Sequence, residues 1–72
     1  MARFHFNIRR ARRYAPDEEG EDLDPGAVAA HTRAMARDML DYPGRSAGYR
    51  GCAFEVTDAS GAVVYRLSFA DA

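Results

Sequence analysis

Two stretches of strict apolar–polar alternation, separated by one stripe of helical spacing, constrain this chain more than any other feature. In the first, Phe4, Phe6 and Ile8 alternate with His5, Asn7 and Arg9; in the second, Cys52, Phe54 and Val56 alternate with Ala53, Glu55 and Thr57. A period of two with aromatic and β-branched residues marks a half-buried strand. Asp58-Ala59-Ser60-Gly61 then has type I turn chemistry, Asp first and Gly last. Val63, Tyr65, Leu67 and Phe69 return on the other side of that turn, with Val64, Arg66 and Ser68 facing away. Residues 52–69 therefore read as a hairpin.

Between the two alternations, Asp24-Pro25 supplies an N-cap and a first-turn proline. The spacing predicts a helix from there to Asp41 or Tyr42. Val28, Thr32, Met35, Met39 and Tyr42 form its stripe, widened by Ala29, Ala36 and Leu40, and Pro43-Gly44 stops it. Residues 12–15 can return as a short second strand ended by Pro16. Residues 17–23 read as a charged loop pivoting on Gly20, and 45–51 as a connector. The expected architecture is α+β in the order β(β)αββ: a single antiparallel sheet of 3–4 strands with one helix on one face, over one domain of residues 1–72. Phe4, Phe6, Ile8, Val28, Met35, Met39, Leu40, Phe54, Val56, Tyr65, Leu67 and Phe69 are the expected core. His5, Asn7, Arg9, Glu55, Thr57, Arg66 and Ser68 fall on the second sheet face, which such a fold leaves to water or to a partner.

Charge is the second constraint. The net value of −1 hides +5 over residues 1–13 and −6 over residues 14–24. Arg9, Arg10, Arg12 and Arg13 make one cluster, and Asp17, Glu18, Glu19, Glu21, Asp22 and Asp24 the other. Like-charged runs repel themselves and sit in water or against an opposite surface. The arginines can grip an RNA or DNA backbone, be neutralised by the acidic loop, or meet the acidic loop of a second subunit. Carboxylates within a Debye length of ~10 Å would repel a polyanion, which favours the contacts with protein. All ten basic residues are Arg, with no Lys, and Ala occurs fourteen times. That bias reads as GC-rich coding, hence a bacterial source.

Chemistry-bearing constellations are sparse. His5, His31 and Cys52 are the soft or borderline metal ligands, and no pair of them has zinc-site spacing. Gly44, Gly48 and Gly51 fit neither phosphate-loop fingerprint. Asp17, Glu19 and Glu21 alternate but lack the order of a calcium loop. Cys52 falls on the core side of its strand, where a thiol behaves as a small hydrophobe. The expectation is a protein that is not an enzyme, with no metal, cofactor or small-molecule substrate. A single cysteine fits a reducing compartment, and no apolar run reaches membrane-spanning length, so the cytoplasm is expected.

With these elements placed, the chain resembles a family of small bacterial domains of about seventy residues whose function is not established. The aromatic opening strand Arg3-Phe4-His5-Phe6-Asn7-Ile8-Arg9 carries the likeness. So do the acidic-Gly-Leu step from Asp17 to Leu23 and the closing hairpin from Phe54 to Tyr65 with Leu67-Ser68-Phe69. The resemblance implies the same architecture and brings no activity or site residues with it. Members often have a short Asp/Gly-type turn after the first strand, where this chain has its arginines.

A domain of 72 residues buries only ~60% of its unfolded surface, and oligomerisation is a usual remedy. The expected function is a non-enzymatic protein-interaction or regulatory domain that forms a homodimer. It would use the open sheet face, an exposed strand edge, or contact between charged arm and acidic loop. The alternative is a nucleic-acid-binding regulator working through Arg9, Arg10, Arg12 and Arg13. Arg66 and His5 on the sheet face complete the candidate contact set.

Overall fold

The first alternation becomes β1 (Ala2–Arg10), and the other elements are arranged around it. The computed structural model describes residues 1–42, 44 and 46–72. β1 is followed by β2 (Arg13–Ala15), β3 (Glu21–Leu23), a 3₁₀ turn (Pro25–Ala27) and α1 (Val28–Asp41). A single helical turn, α2 (Ser46–Tyr49), precedes β4 (Ala53–Thr57) and β5 (Val63–Ser68). The sheet runs β2-β1-β4-β5, every pair antiparallel, and β3 also pairs with β1. The α+β class and the single sheet are as expected, but the described residues form five strands rather than 3–4. The additional one, Glu21–Leu23, falls in the predicted loop. Three residues are too few for an alternation to register, and backbone pairing to Ala2, Arg3 and Phe4 makes the strand.

In-register rows build the core. Ile8, Phe54 and Leu67 lie across three strands, as do Phe6, Val56 and Tyr65. Phe54 stacks on Phe69 with centroids 4.9 Å apart and meets Phe6 edge-on at 6.5 Å. Tyr49 stacks on the far side of Phe69 at 5.3 Å. A fully buried aromatic of this kind contributes about 1.5–3 kcal/mol from burial alone. Phe4, Phe6, Val28, Phe54, Val56, Leu67 and Phe69 are buried as predicted, and Cys52 joins them. Ile8, Met35, Met39, Leu40 and Tyr65 are only half-buried and pack against that cluster.

The side of α1 facing the sheet is narrower than its apolar stripe. It buries Val28, Thr32 and Ala36, with Ala36 and Thr32 wholly inaccessible. The Thr32 hydroxyl donates to the Val28 carbonyl at 2.7 Å, so its polar atom is satisfied within the helix. Ala29 is exposed, and Tyr42 is 60% exposed because its backbone is extended and swings it off the stripe. Asp24 caps the helical segment as expected, accepting the Gly26 N–H at 3.1 Å. The expected stop at Pro43 lies outside the described residues.

β5 corrects one facing. A bulge shifts the register so that Val56 pairs with Tyr65 and Thr57 with Val63, leaving Val64 as the extra residue. Val63 therefore shares the face of Thr57, opposite to that predicted, and Val64 lines a recess with Phe4, Val28 and Tyr65. One inserted residue reverses the facing of everything beyond it. The preceding turn closes as predicted, with Gly61 donating to the Asp58 carbonyl at 3.0 Å. The Ser60 hydroxyl, and then backbone N–H groups including that of Ala62, hold the Asp58 carboxyl below its usual value.

Candidate functional site

The sheet face without a helix is not simply open. Glu55 is buried there, its side chain 11% exposed, and its Oε2 takes Arg9 Nε at 3.0 Å and an Arg66 terminal nitrogen at 3.3 Å. Register explains this: Arg66 lies directly opposite Glu55 on β5, and Arg9 lies diagonally on β1. The Arg9 guanidinium also sits 4.7 Å from the centroid of Tyr14, its cross-strand neighbour. Asn7, assigned by pattern to the exposed face, is 3% exposed. Its amide donates to the Glu55 carbonyl at 2.9 Å and the Thr57 hydroxyl at 3.1 Å. Two long arginines thus roof a short carboxylate, which hides polar residues that alternation alone assigns to solvent.

The energetic weight of this cluster is lopsided. Both guanidiniums are about half exposed and can return to water, whereas the carboxylate cannot. Arg9→Ala combined with Arg66→Ala is expected to cost about 2–3 kcal/mol, since it strands a buried charge. Glu55→Gln should cost no more than about 1 kcal/mol, in keeping with half-exposed partners. Urea denaturation measures both, and equal losses would contradict the assignment.

The acidic segment is built into the edge of β1. β2 covers that edge as far as Ile8 and β3 resumes at Phe4, so the stretch between has no strand partner. Asp17 fills the gap. Its Oδ2 accepts the Phe6 N–H at 3.0 Å, its Oδ1 accepts the Gly20 N–H at 3.2 Å, and its own N–H donates to Asn7 Oδ1 at 2.8 Å. His5 Nδ1 donates to the Asp17 carbonyl at 2.7 Å, and Arg3 holds the Glu19 carbonyl at 2.7 Å and the Asp22 carboxylate at 3.1 Å. Burial pushes the Asp17 carboxyl up, but the N–H groups of Phe6, Gly20 and Glu19, with the nearby His5, outweigh it and hold the pKa below its usual value. Gly20 closes the arch at φ +73°, where a Cβ would meet the Phe4 carbonyl oxygen at 2.7 Å. A solvated charge run is thus the wrong description for Asp17. The signal was present as an Asp three residues before a Gly, the pattern of a turn closed by its own side chain.

Of the predicted contact residues, His5, Arg9 and Arg66 are engaged within the chain. The side chains of Arg10, Arg12 and Arg13 make no hydrogen bond or ion pair with any described residue. The pleat divides the cluster: Arg9 and Tyr14 pair on one face, and Arg10 and Arg13 face each other on the other, with Arg12 at the turn beyond. Ala11 takes φ +51° at that turn, a position that favours glycine. Arg10 and Arg13 stand about four residues of strand from the level of Asp17, ~13 Å of backbone at ~3.3 Å each. Among the described residues, no ion pair joins the tip to the arch. The arch finds its partners elsewhere, in Arg3, which pairs with Asp22, and in His31, whose Nε2 is 2.8 Å from Glu21.

From the tip, a trough runs along the helix side of this edge. A recess of ≈ 520 Å³ bounded by Arg10, Arg13, Tyr14, Ile8 and Ala15 shares its Ile8 and Ala15 walls with one of ≈ 480 Å³. The second is lined by Ile8, Ala15, Pro16, Met35 and Met39 and ends at Asp17, Glu19 and Glu21. The trough is therefore basic at one end, apolar in the middle and acidic at the other. Among the described residues, no three His, Cys, Asp or Glu side chains are grouped to hold a metal, and no helix is long and apolar enough to cross a membrane.

Fold and surface together define a small two-layer α+β domain whose distinctive chemistry is charge laid out along one sheet edge. The chain belongs to the DUF6894 family, a domain of unknown function, whose family model matches residues 3–70. No curated protein and no solved structure matches the chain. The residues that carried the resemblance in sequence now have structural duties: Phe4 and Phe6 in the core, and Asp17 and Gly20 at the sheet edge.

Proposed function

We propose that the chain is a non-enzymatic interaction module of the bacterial cytoplasm that associates with a second copy of itself. The observation that carries this reading is the tip formed by Arg10, Arg12 and Arg13, whose side chains are unpaired among the described residues. Such a concentration of charge is met by another molecule or by water. Three surfaces were open to self-association at the outset, and two have features that work against it. The helix-free face spends its charges on Glu55. The β5 edge carries a bulge at Val64 and Arg66 beside it, both devices that blunt strand-to-strand pairing. The arm and trough remain. A buried, unpaired Cys52 is consistent with a reducing compartment.

Light scattering after size exclusion tests the reading. The expected species at tens of micromolar protein and low salt is a dimer, twice the 8.0 kDa chain mass, with dissociation promoted by high salt. A monomer at every salt concentration overturns it.

One observation favours a second reading. Because none of the three arginines has an ion-pair partner among the described residues, they are also free to contact an RNA or DNA backbone. Fluorescence anisotropy with labelled oligonucleotides would then show steep loss of affinity with salt, abolished by Arg12→Glu with Arg13→Glu. Weak binding unchanged by that pair removes it. The apolar middle and acidic end of the trough suit a protein better than a polyanion.

A further inference from the structure

We infer that the trough is an isologous interface: a second copy docks antiparallel, setting Arg10 and Arg13 of each chain against Glu19 of the other. This rests on the self-association proposed above and specifies its geometry. A two-fold axis maps a surface onto itself with its ends exchanged. Of the three parts of the trough, the exchange sets the basic end on the acidic end twice over and leaves the apolar middle against itself. The acid that receives the arginines is the one with capacity to spare. Asp17 is committed to Phe6 and Gly20, and Glu21 is held by His31. The Glu19 carboxylate has no ion-pair partner among the described residues, and exposed Glu18 stands beside it.

The middle supplies what charge alone does not. Ile8, Met35 and Met39 are only half-buried, and Ala15 and Pro16 are exposed. Methionines at such a surface adapt their shape to what covers them. The charged ends fix orientation and the apolar middle adds burial, which a 72-residue domain lacks on its own.

Charge exchange tests this geometry. Two variants are prepared, Arg10→Glu with Arg13→Glu, and Glu18→Arg with Glu19→Arg; circular dichroism checks that both keep the native fold. Each alone is expected to lose self-association by at least tenfold in sedimentation, because like charges then meet at both ends. An equimolar mixture is expected to recover a heterodimer, since opposite charges again meet at both ends, with the signs reversed at one end and native at the other. Recovery also requires that both variants be folded. Wild-type-like dimers of either variant alone overturn the geometry while leaving self-association standing. A monomeric wild type overturns both. A monomeric wild type that binds labelled RNA, and loses it on Arg10→Glu with Arg13→Glu, assigns the arginines to a nucleic-acid backbone instead.

Discussion

Gly20→Ala is expected to leave the domain largely unfolded at 25 °C, a loss of about 3 kcal/mol or more. Two effects combine at one atom. The residue sits at φ +73°, where an L side chain is strained by about 1–2 kcal/mol. The added methyl would also press on the Phe4 carbonyl oxygen at 2.7 Å. That oxygen belongs to the central strand, which is held by β3 on one side and leads into the β4 pairing, so the backbone has nowhere to yield. A domain of this size rarely holds more than ~3–5 kcal/mol in reserve. Gly26→Ala is the control, because its nearest neighbour lies 3.7 Å away and its φ is ordinary. Urea titrations followed by circular dichroism should show a near-native midpoint for Gly26→Ala and little or no folded baseline for Gly20→Ala. Equal midpoints would dismiss the arch as a structural element.

Asp17→Ala is expected to cost about 2–4 kcal/mol, because it orphans two backbone donors at ~1–3 kcal/mol each, discounted for partial exposure. The larger share falls on Phe6, whose side chain is 5% exposed and whose N–H points into the gap between β2 and β3. The same carboxylate gives a pH signature. Its folded pKa is depressed from 3.8, so the unfolded chain binds the proton more readily. Its contribution is therefore fully present above about pH 4 and is lost as the pH falls through the folded value. Between neutral pH and pH 3 the wild type should lose more stability than Asp17→Ala, narrowing the gap between them. Parallel loss in both proteins would show that the carboxylate is not what holds Phe6.

Much of the fold was legible because it rests on short-period patterns. Phe4, Phe6, Phe54 and Val56 announce their face by alternation, and Val28 and Thr32 by helical spacing. Asp24 announces the helix start by its chemistry. The misassignments share a different cause. Val63 changed face because a bulge adds one residue, and a pattern does not record register against a partner strand. Asn7 and Glu55 alternate like exposed residues, yet Glu55 is buried under Arg9 and Arg66 from the neighbouring strands, and Asn7 is enclosed by Glu55, Thr57 and the Asp17 backbone. Glu21–Leu23 is a strand because β1 presents an unfilled edge, a property of β1 and not of those three residues.

The sequence by itself determined the class, the single helix, most of the core and the existence of two opposite charge runs. Those follow from local periodicity and from residue types, which act over a few positions along the chain. Only the tertiary structure decided what the charge runs do. Adjacent in sequence, they form no ion pair with each other among the described residues, because β2 holds Arg10 and Arg13 at one end of β1 while Asp17 docks about four residues away. Pairing across 46 residues takes Arg9 to Glu55, and a side chain standing in for a strand takes Asp17 into the sheet. Of the two runs, Arg10, Arg12 and Arg13 at the tip and Glu18 and Glu19 at the arch are left without an ion pair among the described residues, and they are the part of the charge pattern that faces outward.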